Sequence, residues 1–182
     1  MTVKPLHRAN YEVHWGPIDY KGKVILDIGA DYGSTADFFL RKGAMKVIAV
    51  ERDQGYFERL CARSLGQPEI VPVSKDMVAP TDFLALLEEY DVDIMKVDCE
   101  GCEALLLELD DDVFSRVPEY LIEVHPKETA EICNNPHPYG GLEDLRRRFL
   151  EKFERCGFEV VRGWAYRSVW VIHAQRKSYE AI

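Results

Sequence analysis

Two short segments decide the fold. Residues 24–33 read VILDIGADYG and residues 46–51 read KVIAVE, with an amphipathic stretch between them. The apolar start of each segment suits a parallel strand buried on both faces, and Gly29 and Gly33 bracket a turn after the first strand. Ser34 is placed to cap the helix that follows, and Gly43 is placed to end it. The pattern predicts a βαβ unit.

The second strand of this unit ends in an acid. Glu51 follows Gly29 by 22 residues (51 − 29). This is close to the roughly 20 residues that separate a glycine turn from the acid that binds a ribose in nucleotide folds. The spacing predicts a nucleoside-type ligand.

The glycine pattern narrows the choice of ligand. Dinucleotide folds use three glycines, as G-x-G-x-x-G, to bring a pyrophosphate to the helix N-terminus. Here the turn has two glycines, and Asp27 and Asp31 lie in or beside it. Carboxylates repel a pyrophosphate but attract the sulfonium and ammonium of S-adenosylmethionine (SAM). The turn resembles the Asp-x-Gly-x-x-x-Gly signature of Rossmann-type methyltransferases, which favours SAM over a nicotinamide or flavin; a βαβ turn without a ligand is the remaining alternative.

The rest of the chain continues the alternation of strands and helices. Further strands are expected at 70–73, 93–97 and 120–125, and an antiparallel pair at 158–162 and 169–174. The predicted fold class is α/β: one doubly wound Rossmann-like methyltransferase domain, with a mostly parallel sheet and a C-terminal antiparallel strand.

The predicted domain covers residues 22–182. Residues 1–21 are too irregular to assign; they form an N-terminal extension that either acts as a lid over the cleft or covers a sheet edge. Within the domain, Asp53 and Thr81 are the expected caps of the next two helices.

Composition restricts the partners. The chain has 182 residues, which suits one domain, and its net charge of −9 disfavours broad contact with nucleic acid. The basic run at 146–148 lies on an amphipathic helix and is typical of a solvated face. No apolar run is long enough for a membrane span and no signal core is present, so we expect a cytoplasmic monomer or homodimer.

Five cysteines are present, an odd number outside any small secreted framework. We expect reduced thiols. Cys99 and Cys102 form a single C-x-x-C, which with His125 and Cys133 gives too sparse a ligand set for structural zinc, so no metal site is expected.

Two charged residues fall within predicted buried strands. Lys96 and Glu123 each need a partner there, because an isolated buried charge is costly. We expect them to form an ion pair with one another; the alternatives are contact with the substrate or with Asp98.

Three segments carry a family resemblance. They are residues 26–30 (LDIGA), 95–103 (MKVDCEGCE) and 122–125 (IEVH). They resemble the FkbM-type methyltransferases, whose patterns run approximately Asp-Ile-Gly-Ala-Asn, Leu-Lys-Ile-Asp-x-Glu-Gly-x-Glu and Ile-Glu-x-His. The resemblance spans residues 24–125 and implies SAM as methyl donor and a hydroxyl acceptor on a sugar, polyketide or other small molecule. Asp31 and Arg52 depart from the residues common in that family.

The site residues follow from the crevice beyond the carboxyl ends of the strands. The candidate cofactor-binding residues are Asp27, Gly29, Ala30, Asp31, Gly33, Ser34, Glu51, Arg52, Asp76 and Asp98. For catalysis we expect Asp98 to position the acceptor and His125 to act as the base; a purely structural histidine is the alternative. Glu100 is a third catalytic candidate, or else a helix cap.

The predicted function is SAM-dependent O-methylation of a hydroxylated small molecule or sugar. Two alternatives stay open: an RNA (tRNA) methyltransferase of the same fold, and a non-catalytic protein that binds SAM or another nucleoside.

Overall fold

A computed structural model of the chain describes residues 8–166 and 168–177, with one seven-stranded sheet. The strands are β1 (Val24–Ile28), β2 (Lys46–Glu51), β3 (Ile70–Ser74), β4 (Ile94–Val97), β5 (Glu119–Val124), β6 (Phe158–Tyr166) and β7 (Val169–Arg176). The helices are α1 (Arg8–His14), α2 (Ser34–Arg41), α3 (Gln54–Ser64), α4 (Pro80–Glu89), the 3-10 helix Cys102–Glu108, α5 (Asp111–Phe114), α6 (Lys127–Ile132) and α7 (Leu142–Arg155).

The sheet has the order β3-β2-β1-β4-β5-β7-β6. Strands β1 to β5 pair in parallel, and β7 runs antiparallel to both of its neighbours. This confirms the predicted α/β class, mostly parallel with one reversed strand. Because the strand order reverses at β1, a crevice opens beyond the carboxyl ends of β1 and β4, the usual ligand position in such sheets.

Both faces of the central strands are buried, as the apolar runs predicted. On one face, Leu26 and Met95 belong to a core that also contains Phe149 of α7. On the other, Ile25 and Leu121 pack in a second core with residues of α2. Side chains alternate between faces along each strand, so each strand contributes to both cores.

Two of the predicted helix caps are wrong. Gly33, with φ of 85°, precedes α2, so Ser34 is already its first helical residue and bonds to Tyr11 Oη at 2.6 Å instead of capping. Ala79 precedes α4, where Asp82 accepts the backbone N–H groups of residues 78 and 79 in place of Thr81. The Asp53 cap of α3 is confirmed by its bond from Tyr56 N at 2.9 Å.

The segment at 8–20, which the sequence left unassigned, contains helix α1. Trp15 and Tyr20 after it are each 1% exposed, and Tyr20 Oη donates to the carbonyl of Trp15 at 2.5 Å. Tyr11 packs near Phe38 of α2, with ring centroids 5.8 Å apart. The segment therefore covers one face of the sheet and ends beside the crevice. Residues 1–7 of the predicted extension lie outside the described residues.

Candidate functional site

A pocket of about 650 Å³ lies in the crevice. Its volume is within the range usual for small-molecule and cofactor sites. The side chains that line it include Tyr11, His14, Trp15, Asp31, Thr35, Glu51, Arg52, Asp53, Tyr56, Lys75, Asp76, Met77, Lys96, Asp98, Glu100, Glu123, His125 and Asn135. Carboxylates outnumber cations in this wall, and two of the cations are already engaged: Lys75 with Asp82 at 2.8 Å and Lys96 with Asp27 at 2.9 Å.

Glu51, at the end of β2, fixes the turn after β1. Its Oε2 accepts the backbone N–H of Asp31 at 2.9 Å, and its Oε1 accepts that of Asp53 at 2.7 Å. Each carboxylate oxygen has a second lone pair, so both can still accept a hydroxyl of a ligand. The acid that the spacing singled out therefore lies in the pocket wall with its orientation set by two backbone bonds.

The close approach of the backbone after β1 to that after β4 explains why residue 29 is a glycine. A Cβ on Gly29 would lie 1.9 Å from the carbonyl oxygen of Asp98, and its φ of 77° is in the left-handed region. Only glycine fits there. This brings Asp98 next to the turn, so the two halves of the crevice share one pocket.

The predicted Lys96–Glu123 ion pair is wrong. Lys96 is fully buried and its Nζ lies 2.9 Å from Asp27 Oδ1, with the carbonyls of Ile28 and Gly29 at 3.3 and 2.8 Å. The register explains this, because Asp27 on β1 lies directly opposite Lys96 on β4. Burial alone would lower the pKa of Lys96, but the negative charge of Asp27 outweighs it and raises that pKa. The alternative contact with Asp98 is present at 3.9 Å.

Three side chains converge at the other end of the pocket. His125 Nε2 lies 3.8 Å from Asp98 Oδ1 and 3.6 Å from Glu123 Oε1. Behind the ring, Glu103 Oε1 accepts the backbone N–H of His125 at 2.7 Å and lies 3.1 Å from its Nδ1. Glu103 is completely buried. The imidazole is thus anchored from behind and presents Nε2 to the pocket.

The surroundings of His125 change its expected role. Burial alone would lower its pKa, but the hydrogen bond and charge of Glu103, with the charges of Asp98 and Glu123, raise it to about 9. A pKa near 9 favours the imidazolium, with both ring nitrogens protonated, at neutral pH. Because three carboxylates favour the protonated ring, the raised pKa makes His125 a weaker candidate for the general base, and that role stays a prediction.

Cys99 and Cys102 form a disulfide with a Cα–Cα distance of 5.5 Å, which corrects the expectation of reduced thiols for this pair. Glu100 and Gly101 between them have φ of 56° and 128°, and this turn brings the two cysteines within bridging distance. Glu100 is exposed at the pocket rim, and Gly101, not Glu100, precedes the 3-10 helix. The other three cysteines are free thiols.

The structure brings most of the candidate residues together. Those lining the pocket are Gly29, Asp31, Glu51, Arg52, Asp76, Asp98, Glu100 and His125. Four candidates do not line it: Asp27, Ala30, Gly33 and Ser34. Asp27 lies beneath the floor, where it accepts from Thr35 Oγ1 at 2.5 Å and pairs with Lys96.

Sequence reasoning missed several residues of the site. Tyr11 and His14 of α1 and Trp15 just after it line the pocket, but the sequence predicted their segment only as a lid or an edge cover, without naming site residues. Glu103 is part of the quoted motif at 95–103, but nothing in the pattern indicated that its side chain would reach back to His125.

The basic run on α7 is paired locally. Arg147 bonds to Asp144 and Glu151, each at 2.7 Å, and Arg148 bonds to Asp144 at 3.0 Å. The predicted solvated face is confirmed for these two side chains. Within residues 8–166 and 168–177, no helix combines the length and apolar character needed to cross a membrane.

Sequence comparison finds relatives among viral proteins. The chain is 32% identical over 115 residues to "Uncharacterized protein 158B" of Sulfolobus islandicus rod-shaped virus 1, covering 63% of this chain and 68% of the viral protein. The chain belongs to the 158B family. A second relative, "Uncharacterized protein 65" of a Sulfolobus islandicus filamentous virus, is 29% identical over 115 residues, covering 63% of this chain and 67% of the other. No protein-family profile matches the sequence, so the resemblance to the FkbM group stays a prediction.

Solved structures share the fold of this 158B-family chain. One is a protein of the NADB-Rossmann superfamily from Streptococcus agalactiae (TM-score 0.59, 18% identity, 89% of this chain); the chain spans only 65% of its length. Aeropyrum pernix fibrillarin, solved with natively bound SAM, has a TM-score of 0.60 at 18% identity, covering 86% of this chain and 68% of fibrillarin. The tRNA methyltransferase TrmK of B. subtilis has a TM-score of 0.58 at 15% identity, covering 87% of this chain and 62% of TrmK. These likenesses establish a Rossmann-like fold.

Proposed function

We propose that this 158B-family chain is a SAM-dependent methyltransferase whose acceptor is a hydroxyl group on a small molecule or sugar. The observation that carries the proposal is the placement of Glu51 and Asp31 at one end of a single acidic pocket and of Asp98 and His125 at the other. The first pair suits a nucleoside, and the second lies where an acceptor would meet the donor.

The side chains that line the pocket fit SAM. Glu51 would accept the ribose hydroxyls, and Asp76 and Met77, which follow β3, line the pocket near it. The carboxylates of Asp31 and Asp98 suit the ammonium and sulfonium charges, whereas they would repel a pyrophosphate. Arg52 lies at the rim, where it donates to the carbonyl of Cys133 at 2.5 Å and approaches Asp76 at 3.9 Å.

Catalysis would come mainly from positioning. When bound, SAM supplies an electrophilic methyl group, which an acceptor oxygen takes in line as the carbon–sulfur bond breaks and leaves a neutral thioether. Asp98 would receive the hydroxyl proton, since His125 already holds one at neutral pH. His125, fixed by Glu103, would orient the acceptor oxygen, and Glu100 would contact the acceptor at the rim.

Calorimetry with SAM and with NAD tests the cofactor assignment. We expect SAM to bind and NAD not to bind. Glu51→Gln should weaken SAM binding by about 1.5–3 kcal/mol, because it removes charge-assisted hydrogen bonds to the ribose. Glu69→Gln, an exposed acid just before β3, is the matched control and should bind as the wild type does. Unchanged SAM affinity in Glu51→Gln, with the protein still folded by circular dichroism, would place the ribose elsewhere.

A donor-consumption screen then tests the acceptor class. We expect demethylated SAM to form with hydroxylated metabolites in the wild type and to be lost in Asp98→Asn. Including tRNA in the same screen tests the nucleic-acid alternative, and turnover with tRNA alone would reject the small-molecule acceptor.

A further inference from the structure

The end of the pocket formed by β4 and β5 contains a group of metal-ligating side chains. Asp98, Glu123 and His125 each offer one ligand atom, and these atoms all lie within 4.8 Å of one another. Their side chains are 31%, 16% and 7% exposed, so the group is open to the pocket on one side and enclosed on the other. We call it the β4–β5 triad.

The distances within the triad are too long for direct bonds. Nε2 of His125 lies 3.8 Å from Asp98 Oδ1 and 3.6 Å from Glu123 Oε1, beyond the usual range of a hydrogen bond. Ligands of one divalent ion lie about 2.0–2.2 Å from it, so adjacent ligands are about 3 Å apart and opposite ones about 4.2 Å. The two distances from His125 Nε2 fall between these values, and the two carboxylates lie within 4.8 Å of one another.

His125 is oriented by a buried carboxylate, as metal-binding histidines usually are. Glu103 Oε1 lies 3.1 Å from Nδ1 of His125 and also accepts its backbone N–H. Its other oxygen accepts the backbone N–H of Gly101 at 2.9 Å, so the carboxylate is fixed at both oxygens. A buried carboxylate behind a histidine, with the other ring nitrogen free to coordinate, is the usual support of a metal-bound histidine.

The nearby lysine has its shortest contacts outside the triad. Lys96 Nζ forms an ion pair with Asp27 Oδ1 at 2.9 Å and donates to the carbonyls of Ile28 and Gly29 at 3.3 and 2.8 Å. Its Nζ lies 3.9 Å from Asp98 Oδ2, which is beyond hydrogen-bond distance and leaves only a long ion pair with the triad. On the far side, His14 Nδ1 lies 3.5 Å from Glu123 Oε2 and leaves Oε1 directed at the triad.

We propose that Asp98, Glu123 and His125 bind one divalent transition-metal ion, such as Mn²⁺, Fe²⁺ or Zn²⁺, at this end of the pocket. Two carboxylates and one imidazole favour such ions over Ca²⁺ or Mg²⁺, which prefer oxygen ligands alone. Three protein ligands would leave coordination positions facing the pocket. Metal binding at the triad does not depend on the proposed function. Only the role of the metal, to hold the acceptor oxygen, rests on that function.

Titration of the full chain with MnCl₂, followed by the loss of the free-Mn²⁺ electron paramagnetic resonance signal, tests the proposal. We expect one saturable site in the wild type. Asp98→Asn and Glu123→Gln should each weaken it by about tenfold or more, while both substitutions preserve side-chain shape. Asp112→Asn and Glu88→Gln, which change exposed acids outside the pocket, are the matched controls and should bind Mn²⁺ as the wild type does.

The proposal would be overturned if the wild type does not bind Mn²⁺, or if both triad variants bind it as well as the wild type does. Circular dichroism of each variant shows that a loss of binding is not a loss of fold. The titration contains no SAM, and SAM calorimetry is done separately in EDTA. A chain that binds SAM but not Mn²⁺ would reject the metal site alone, and one that binds Mn²⁺ but not SAM would reject only the methyltransferase proposal.

Discussion

Strand β5 carries two glutamates on the same face of the sheet, four residues apart, and their surroundings differ. At its start, Glu119 accepts hydrogen bonds from His173 and Lys23, each at 2.7 Å, and from Gln175 at 2.8 Å. Near its end, Glu123 faces His14 and His125 at 3.5 and 3.6 Å. The first carboxylate accepts three hydrogen bonds, and the second has longer contacts with two imidazole rings.

The pKa values of the two glutamates move in opposite directions. Burial would raise the pKa of Glu119, but its hydrogen bonds from His173, Lys23 and Gln175 lower it to about 2. For Glu123, burial and then the charge of Asp98 raise the pKa to about 7. The comparison indicates that the charge of Glu119, at the amino end of β5, stabilises the fold, whereas the surroundings of Glu123, at the carboxyl end, disfavour its charge.

The largest effect on stability is expected at Lys96, which the sequence had paired with Glu123. Lys96→Met should destabilise the protein by about 3–5 kcal/mol, because it leaves Asp27 as a buried charge without its partner. Urea unfolding measures this loss. In double-mutant cycles, Lys96 should couple strongly to Asp27, while Lys96→Met and Glu123→Gln should add within about 0.5 kcal/mol. Strong coupling between Lys96 and Glu123 would make Glu123 a structural residue and remove the contrast with Glu119.

The next effect is at Glu119 and depends on pH. Glu119→Gln should lower the free energy of unfolding at pH 7 by about 1.5–3 kcal/mol, since charged hydrogen bonds are lost. The folded-state pKa is below the ordinary value of 4.5, so this contribution is complete above about pH 4.5 and disappears as the pH falls toward 2. Urea unfolding of both proteins between pH 2 and 7 measures the difference. Glu159→Gln, an exposed acid on β6, is the control. A difference that does not change with pH would show that the Glu119 charge is not what stabilises the fold.

The smallest effect is expected at Glu123. In the absence of added metal, Glu123→Gln should change the free energy of unfolding at pH 7 by less than about 0.5 kcal/mol or raise it, since it removes a charge that Asp98 repels. The same urea experiment measures it beside Glu119→Gln. A loss as large as that at Glu119 would mean that both glutamates hold the fold together.

The parts of the molecule that the sequence predicted are those that depend on local pattern. The turn at Gly29, the strand ending in Glu51 and the Asp53 cap follow from apolar runs, glycines and short spacings. The partner of Lys96 could not be predicted in this way, because it depends on the register between β1 and β4, which no short segment encodes. The contact of Glu103 with His125 could not be predicted either, because it joins residues 22 positions apart.

Helix α1 and the disulfide were missed for a different reason. Seven residues of helix at 8–14 are too few to show a clear periodicity, and their contacts with α2 and the pocket come from tertiary packing. The Cys99–Cys102 bridge depends on left-handed φ angles at Glu100 and Gly101. Glycine adopts such a conformation easily at position 101. At position 100, a glutamate gives no indication of a positive φ.

A crystal structure of the chain grown with SAM tests the central claim most directly. The account predicts SAM in the pocket at the carboxyl ends of β1, β2 and β4, with its ribose hydroxyls on Glu51 and its methyl group directed toward Asp98 and His125. SAM bound outside this pocket, or bound within it without contact to Glu51, would contradict the account.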